Sequence, residues 1–239
     1  MSEPPTTSPS PDLAAGRDPG GRGADPGPGE QREAAWLTPY RDDGPVGVLV
    51  RRLTGERAVL PVPGVLLLAA AVGVLAGAAA SAVLAGAAAT TSLSSLSSLS
   101  SASSVVAGQP WVWATVALVL AVLSLPARSL ARLEWPVPAL LRAVEYGTVL
   151  LLAGAGPWAY LLLATLAARH YDIVYRVRTL GTAPSAWLEV AGGGWPLRSA
   201  VLIAGSAVGQ AELAVTVMAL VLAPMVVVDA VVGWRRSGR

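Results

Sequence analysis

From Val62 to Ala88 the chain runs without one charged side chain, almost wholly in Ala, Val, Leu and Gly. About 20 apolar residues let an α-helix cross about 30 Å of hydrocarbon, and lipid obliges every backbone polar group to be satisfied within the segment. This run is the first of six. The others fall at about Val105–Leu125, Val137–Gly154, Pro157–Arg178, Arg198–Gly209 and Glu212–Trp234. With 54% hydrophobic and 13% charged residues over 239 positions, the chain is too apolar for a soluble domain of its length. The expected fold class is all-α: a multi-pass membrane protein of about six transmembrane helices, with its membrane domain over residues 62–234.

The flanking segments differ in composition. Residues 1–35 are rich in Pro and Gly with little to bury, and are expected to form a disordered tail. No apolar stretch follows Met1, so this tail does not read as a cleaved signal peptide. Residues 36–61 form a basic juxtamembrane segment with Arg41, Arg51, Arg52 and Arg57, where Arg51 and Arg52 fit a short interfacial helix. Residues 235–239 form a basic C-terminal tail.

Several breaks shape the interior. In residues 90–104, Leu93, Leu96 and Leu99 recur among serines. That period suits neither helix nor strand and predicts a flexible external loop, or alternatively a glycosylated stalk. The Gly154-Ala155-Gly156-Pro157 stretch predicts a tight turn that makes the third and fourth spans an antiparallel hairpin. One kinked helix from Val137 to Ala168 is the alternative. Gly73 and Gly77 form a small-xxx-small pair suited to close helix approach. Gly192-Gly193-Gly194 lacks the Lys-Ser/Thr of a phosphate-binding loop and reads as a flexible turn before Trp195.

Arginine placement sets the topology. The segment before the first span, the loops after the second and fourth, and the C-terminus carry arginine, whereas the alternate loops carry none. With six spans, all basic segments lie on one side, so both termini are expected in the cytoplasm and the chain in the cytoplasmic (inner) membrane. Seven of the eight tryptophans, all but Trp36, fall near expected span ends, where amphipathic rings anchor at the interface.

Composition also excludes chemistry. Without cysteine there are no disulfides, thiolate metal sites or cysteine nucleophiles. One histidine and few acids in the apolar part argue against a metal cage, and no cofactor motif is present. The arginines are spread over membrane edges rather than along a soluble groove, which speaks against nucleic acid.

The charged residues inside the spans carry the functional argument, because charge in or near hydrocarbon is costly. They concentrate in Arg169-His170-Tyr171-Asp172-Ile173-Val174-Tyr175-Arg176-Val177-Arg178. In a tight hairpin Arg142 lies level with Arg169, and Glu145 lies about one helical turn away. Two crossed ion pairs, Glu145 with Arg169 and Arg142 with Asp172, are therefore expected. Asp172 also holds Arg176 at i,i+4. Arginines oriented by carboxylates suit phosphate, so Arg169, Tyr175, Arg176 and Arg178 are the candidate anionic-ligand residues, supported by Arg142, Glu145 and Asp172. Plain anchoring to headgroups is the competing reading. His170 and Asp172 are the only candidates for acid–base catalysis. His170, Tyr171 and Arg178 are expected to point away from the charged face, and Asp229 to pair with Arg235 and Arg236.

The blocks Leu140-Leu141-Arg142-Ala143-Val144-Glu145-Tyr146-Gly147, Arg169 through Arg178, Gly181-Thr182-Ala183-Pro184 and Gly193-Gly194-Trp195 resemble an uncharacterised bacterial membrane domain, over about Arg41 to Trp234. That domain is usually found C-terminal to a CDP-alcohol phosphotransferase domain. The resemblance implies a role near phospholipid synthesis, with such a transferase as a partner. The transferase motif itself, Asp-Gly-x-x-Ala-Arg with downstream aspartates, is absent; the nearest fragment, Asp42-Asp43-Gly44, continues as Pro45-Val46-Gly47.

The function expected first is an accessory membrane module that binds or positions an anionic phospholipid headgroup or CDP-linked lipid precursor at the cytoplasmic face. The alternatives are a structural or interaction module without ligand, and an uncharacterised phosphotransferase-type membrane enzyme.

Overall fold

The computed structural model describes residues 40–55, 59–90, 109–128, 130, 133–180 and 185–237. The expected tail 1–35, most of the Ser/Leu loop, Arg57, Arg132, residues 181–184 and Arg239 lie outside the described residues. The structure is all-α apart from one short ladder. Its elements are α1 (Gly44–Thr54), β1 (Leu60–Pro63), α2 (Gly64–Thr90), α3 (Pro110–Leu123), β2 (Ala127–Arg128), α4 (Val137–Ala153), α5 (Pro157–Tyr175), α6 (Ala186–Ala191), α7 (Gly194–Ala207) and α8 (Ala211–Ser237). β1 and β2 pair in parallel.

Helix starts follow local chemistry. Pro110 and Pro157 each open a helix, where the missing N–H costs nothing and φ is already set. On the other side of the turn before Pro157, α4 stops at Gly154, whose φ is 64°. The segments expected as the third and fourth spans are thus two helices joined by Gly154-Ala155-Gly156, not one kinked rod. Over Arg176–Leu180 the continuation of α5 widens into a π-helix.

Packing divides into two apolar clusters. In the first, Leu68, Ala71 and Leu75 of α2 meet Ala114, Ala117 and Ala121 of α3 and Leu141 and Val144 of α4. The alanines of α3 form one small-residue stripe that lets the backbones approach, as contact between apolar helices requires. In the second, Val149 of α4, Ala159, Leu162 and Leu166 of α5, Leu202 of α7, and Val215, Ala219 and Leu222 of α8 pack together. α4 and α7 therefore join the halves. Gly73 and Gly77 take no part: a Cβ at either would meet nothing within 4 Å. The helix contacts of α2 run instead along its leucine and alanine stripe.

Among the described residues, two helices, Gly64–Leu84 and Ala211–Arg235, are long and apolar enough to cross a membrane, and Pro110–Leu123 is a shorter apolar helix.

Candidate functional site

At the end of the bundle where α4 begins and α5 finishes, charged side chains from four parts of the chain meet in a buried network. Its centre is Asp42, which precedes α1 and is 3% exposed. Its backbone has φ of 49°, the one positive φ outside glycine among the described residues. Asx residues tolerate this region best, and such a strained position is held only where its surroundings over-determine it.

Those surroundings are guanidinium groups. Arg169 of α5, 4% exposed, donates from Nη2 to Asp42 Oδ1 at 2.7 Å and from Nε to Oδ2 at 3.3 Å. Arg198 of α7 donates from Nη2 to Asp42 Oδ2 at 2.7 Å and from Nε to Glu145 Oε1 at 2.7 Å. Its Nη1 reaches the Gly192 carbonyl at 3.0 Å. Arg142 of α4 donates to Glu145 Oε2 at 3.0 Å and clasps the chain before α1 through the Tyr40 and Arg41 carbonyls at 2.8 and 3.0 Å. Three guanidinium groups against the Asp42 and Glu145 carboxylates leave one net positive charge. Burial alone pushes the Asp42 carboxyl up, but the Arg198 guanidinium and the hydrogen bonds and charge of Arg169 outweigh it and hold it well below its ordinary value.

Asp43 makes the neighbouring contacts. Its Oδ1 accepts from the indole Nε1 of Trp195 at 3.1 Å, its Oδ2 accepts from Arg51 at 3.1 Å, and Arg41 lies 3.5 Å away. The Trp195 backbone N–H donates to the Asp42 carbonyl at 3.1 Å. This approach needs glycine on both sides. A Cβ on Gly44 would lie 2.7 Å from Gly194, and one on Gly194 would lie 2.6 Å from Gly44, with φ of 59° and 65°. Gly192-Gly193-Gly194 is therefore a docking platform rather than a flexible turn. Trp195 is fully buried, not an interfacial anchor.

His170 faces the network, contrary to the expectation that it points away. Tyr146 Oη and His170 Nδ1 share a hydrogen bond of 2.7 Å. His170 Nε2 lies 3.8 Å from Asp42 Oδ2 and 3.7 Å from Glu145 Oε2, buried and without a hydrogen-bond partner.

A second cluster lies further along. Arg176 pairs with Asp172 at 2.7 Å, as the i,i+4 spacing predicts, and with Asp229 of α8 at 3.0 Å. Ser185 also donates to Asp229. Asp229 thus pairs with Arg176, where the sequence placed Arg235 and Arg236 opposite it.

The crossed hairpin pairs do not form. Glu145 takes Arg142 and Arg198 instead of Arg169, Arg169 takes Asp42, and Asp172 takes Arg176 instead of Arg142. Glu145 stands beside His170, four residues farther from the turn than the level of Leu166. Two of the partners that displace the expected ones, Asp42 and Arg198, come from outside the hairpin. Among the candidate ligand residues, Arg169 is sealed in the first network and Arg176 in the second, whereas Tyr175 and Arg178 are exposed. The structure therefore does not gather these four around one opening. Asp42, Asp43 and Arg198 are the residues that sequence reasoning missed. The signal for the first two was an adjacent acid pair and a glycine inside an otherwise basic segment.

The fold and site define a helical bundle with the Tyr40–Thr54 segment pinned to its charged end by buried ion pairs. The chain belongs to DUF5941, a family of unknown function that matches residues 31–239. Compared with curated proteins and with solved structures, it matches none.

Proposed function

We propose that this chain is a six-span cytoplasmic-membrane module whose ion network latches the Tyr40–Thr54 segment onto the inner end of the bundle. The observation that carries this reading is the capture of Asp42 by Arg169 and Arg198 across three separate elements. Whatever is attached before Tyr40 is thereby held at the membrane. The proposed role is that of an accessory and interaction module rather than a catalyst.

The six-span reading draws on surface chemistry. Leu66, Val83, Val208, Leu213, Leu220 and Val227 are each more than half exposed, more large apolar side chains than a soluble helical bundle usually leaves in water. α4, α5 and α7 carry charges that lower their individual hydropathy, but the bundle pairs those charges internally. The uncharged turns Gly154–Gly156 and Val208–Gln210 would then lie outside, with both termini inside.

The resemblance to a domain accompanying CDP-alcohol phosphotransferases sets the proposed context, phospholipid synthesis with such a transferase as partner. The exposed Arg52, Arg178 and Arg235 would meet anionic headgroups at the inner leaflet.

Because the chain has no native cysteine, single-cysteine variants test this reading. An impermeant maleimide should label Ala155→Cys in intact spheroplasts, and Leu53→Cys and Arg235→Cys only after the membrane is opened. Labelling of Leu53→Cys from outside, or of all three positions alike, would refute the topology.

A further inference from the structure

We propose that Arg169, Arg198 and His170, with Arg142 behind Glu145, form a phosphate-class anion site that Asp42 fills from within the chain. This rests on the latch reading of the same residues and names what can replace the latch.

The first argument is charge. Without Asp42, the three guanidinium groups face only Glu145 among their carboxylate partners, which leaves two positive charges buried. Asp42 cancels one of them, whereas a phosphate monoester dianion cancels both. Guanidinium forks match phosphate oxygens as well as they match a carboxylate.

The second argument is the unused donor position. His170 Nε2 is buried without a hydrogen bond, 3.8 Å from the nearest Asp42 oxygen. Asp42 Oδ2, the oxygen on the His170 side, already accepts from both Arg169 and Arg198. A tetrahedral phosphate centred in the same place has a further oxygen to direct at His170. With Nδ1 accepting from Tyr146, Nε2 carries the proton and donates.

The third argument is that the plug is removable. The fully buried residues of α1 are Gly44 and Gly47, with Val46 and Val50 only half-buried, so no fully buried large apolar side chain anchors it. Val48, Leu49 and Leu53 remain exposed. The segment is held by polar contacts of Asp42, Asp43 and the backbone, which an anion competes for directly. Asp42 also leaves a strained φ when it departs.

Asp42→Gly empties the seat and suits the positive φ. Thermal melts of the full chain in neutral detergent would compare this variant with wild type and with Asp42→Gly/Arg169→Gln. The additions are inorganic phosphate, dihexanoyl phosphatidic acid, dihexanoyl phosphatidylcholine, and sodium chloride at matched ionic strength. Asp42→Gly should melt several degrees higher with a phosphate monoester than with chloride, and the double variant should lose that gain. A gain from phosphatidic acid alone identifies a lipid headgroup, and a gain from both identifies phosphate itself. No gain over chloride, or an equal gain in the double variant, overturns the site.

Should Asp42→Gly not fold, wild-type hydrogen exchange decides. The same phosphate monoesters should accelerate exchange in Val46–Thr54, and unchanged exchange overturns the proposal. Loss of the phosphate effect while Arg198→Gln still frees α1 would remove the anion site and leave the latch standing.

Discussion

Asp42 and Arg169 lie 127 positions apart and meet through two hydrogen bonds, Nη2 to Oδ1 at 2.7 Å and Nε to Oδ2 at 3.3 Å. Both side chains are almost fully buried, at 1% and 5% exposure. A buried pair contributes little over an apolar substitute, but removing one partner strands the other charge. Asp42→Asn should therefore destabilise the fold by about 3–5 kcal/mol. Guanidinium chloride unfolding in detergent would measure this; a loss within that of a surface mutation would contradict the buried pairing.

Acid should act through the same carboxyl. Its folded pKa is depressed below its unfolded value, so its contribution is complete above the unfolded value of about 4 and is lost as pH falls toward the folded one. The melting temperature of the wild type should fall from about pH 5 to pH 3, and that of Asp42→Asn, which lacks this group, should fall less steeply. Parallel pH profiles would show that Asp42 is not the group responsible.

Glycine substitutions should separate position from composition. Gly194→Ala puts a Cβ 2.6 Å from the Gly44 nitrogen at a φ of 65°, so it should release α1 and lower the melting temperature markedly. Gly73→Ala meets nothing within 4 Å and should be neutral, or stabilising by about 0.5–1 kcal/mol as for any helix-interior glycine. The two melts, side by side, check the docking geometry.

The second cluster should matter locally. Arg176→Ala removes the link from Asp172 to Asp229 between α5 and α8, and leaves Asp229 buried with Ser185. A loss of about 1–3 kcal/mol is expected, the usual cost of orphaning a hydrogen-bonded buried group. Hydrogen exchange should rise at the C-terminal end of α8 while α2 and α3 keep their protection.

The helices were legible where one physical rule governs. Apolar length over Gly64–Thr90 and Ala211–Ser237, and the Gly-Ala-Gly-Pro break before α5, follow from composition and backbone freedom alone. The site was legible only in part. Arg176 with Asp172 could be read because i,i+4 is a local relation. Asp42 with Arg169 and Arg198 joins elements remote in sequence, and helical periodicity carries no information about such pairs. His170 was expected off the charged face because of its angle around α5, but α4 brings Tyr146 to its ring. Gly194 looked like a flexible turn because its reason for being glycine is Gly44, which lies in another segment.

The most direct test is hydrogen exchange of the Gly47–Thr54 amides in full-length wild type and Arg198→Gln, in the same detergent. Arg198 holds Asp42, Glu145 and the Gly192 carbonyl together, so its loss should open the latch without unfolding the bundle. Slow exchange of these amides in wild type and fast exchange in the variant, with α2 and α8 protected in both, is the predicted result. Equal exchange of Gly47–Thr54 in the two proteins would contradict it.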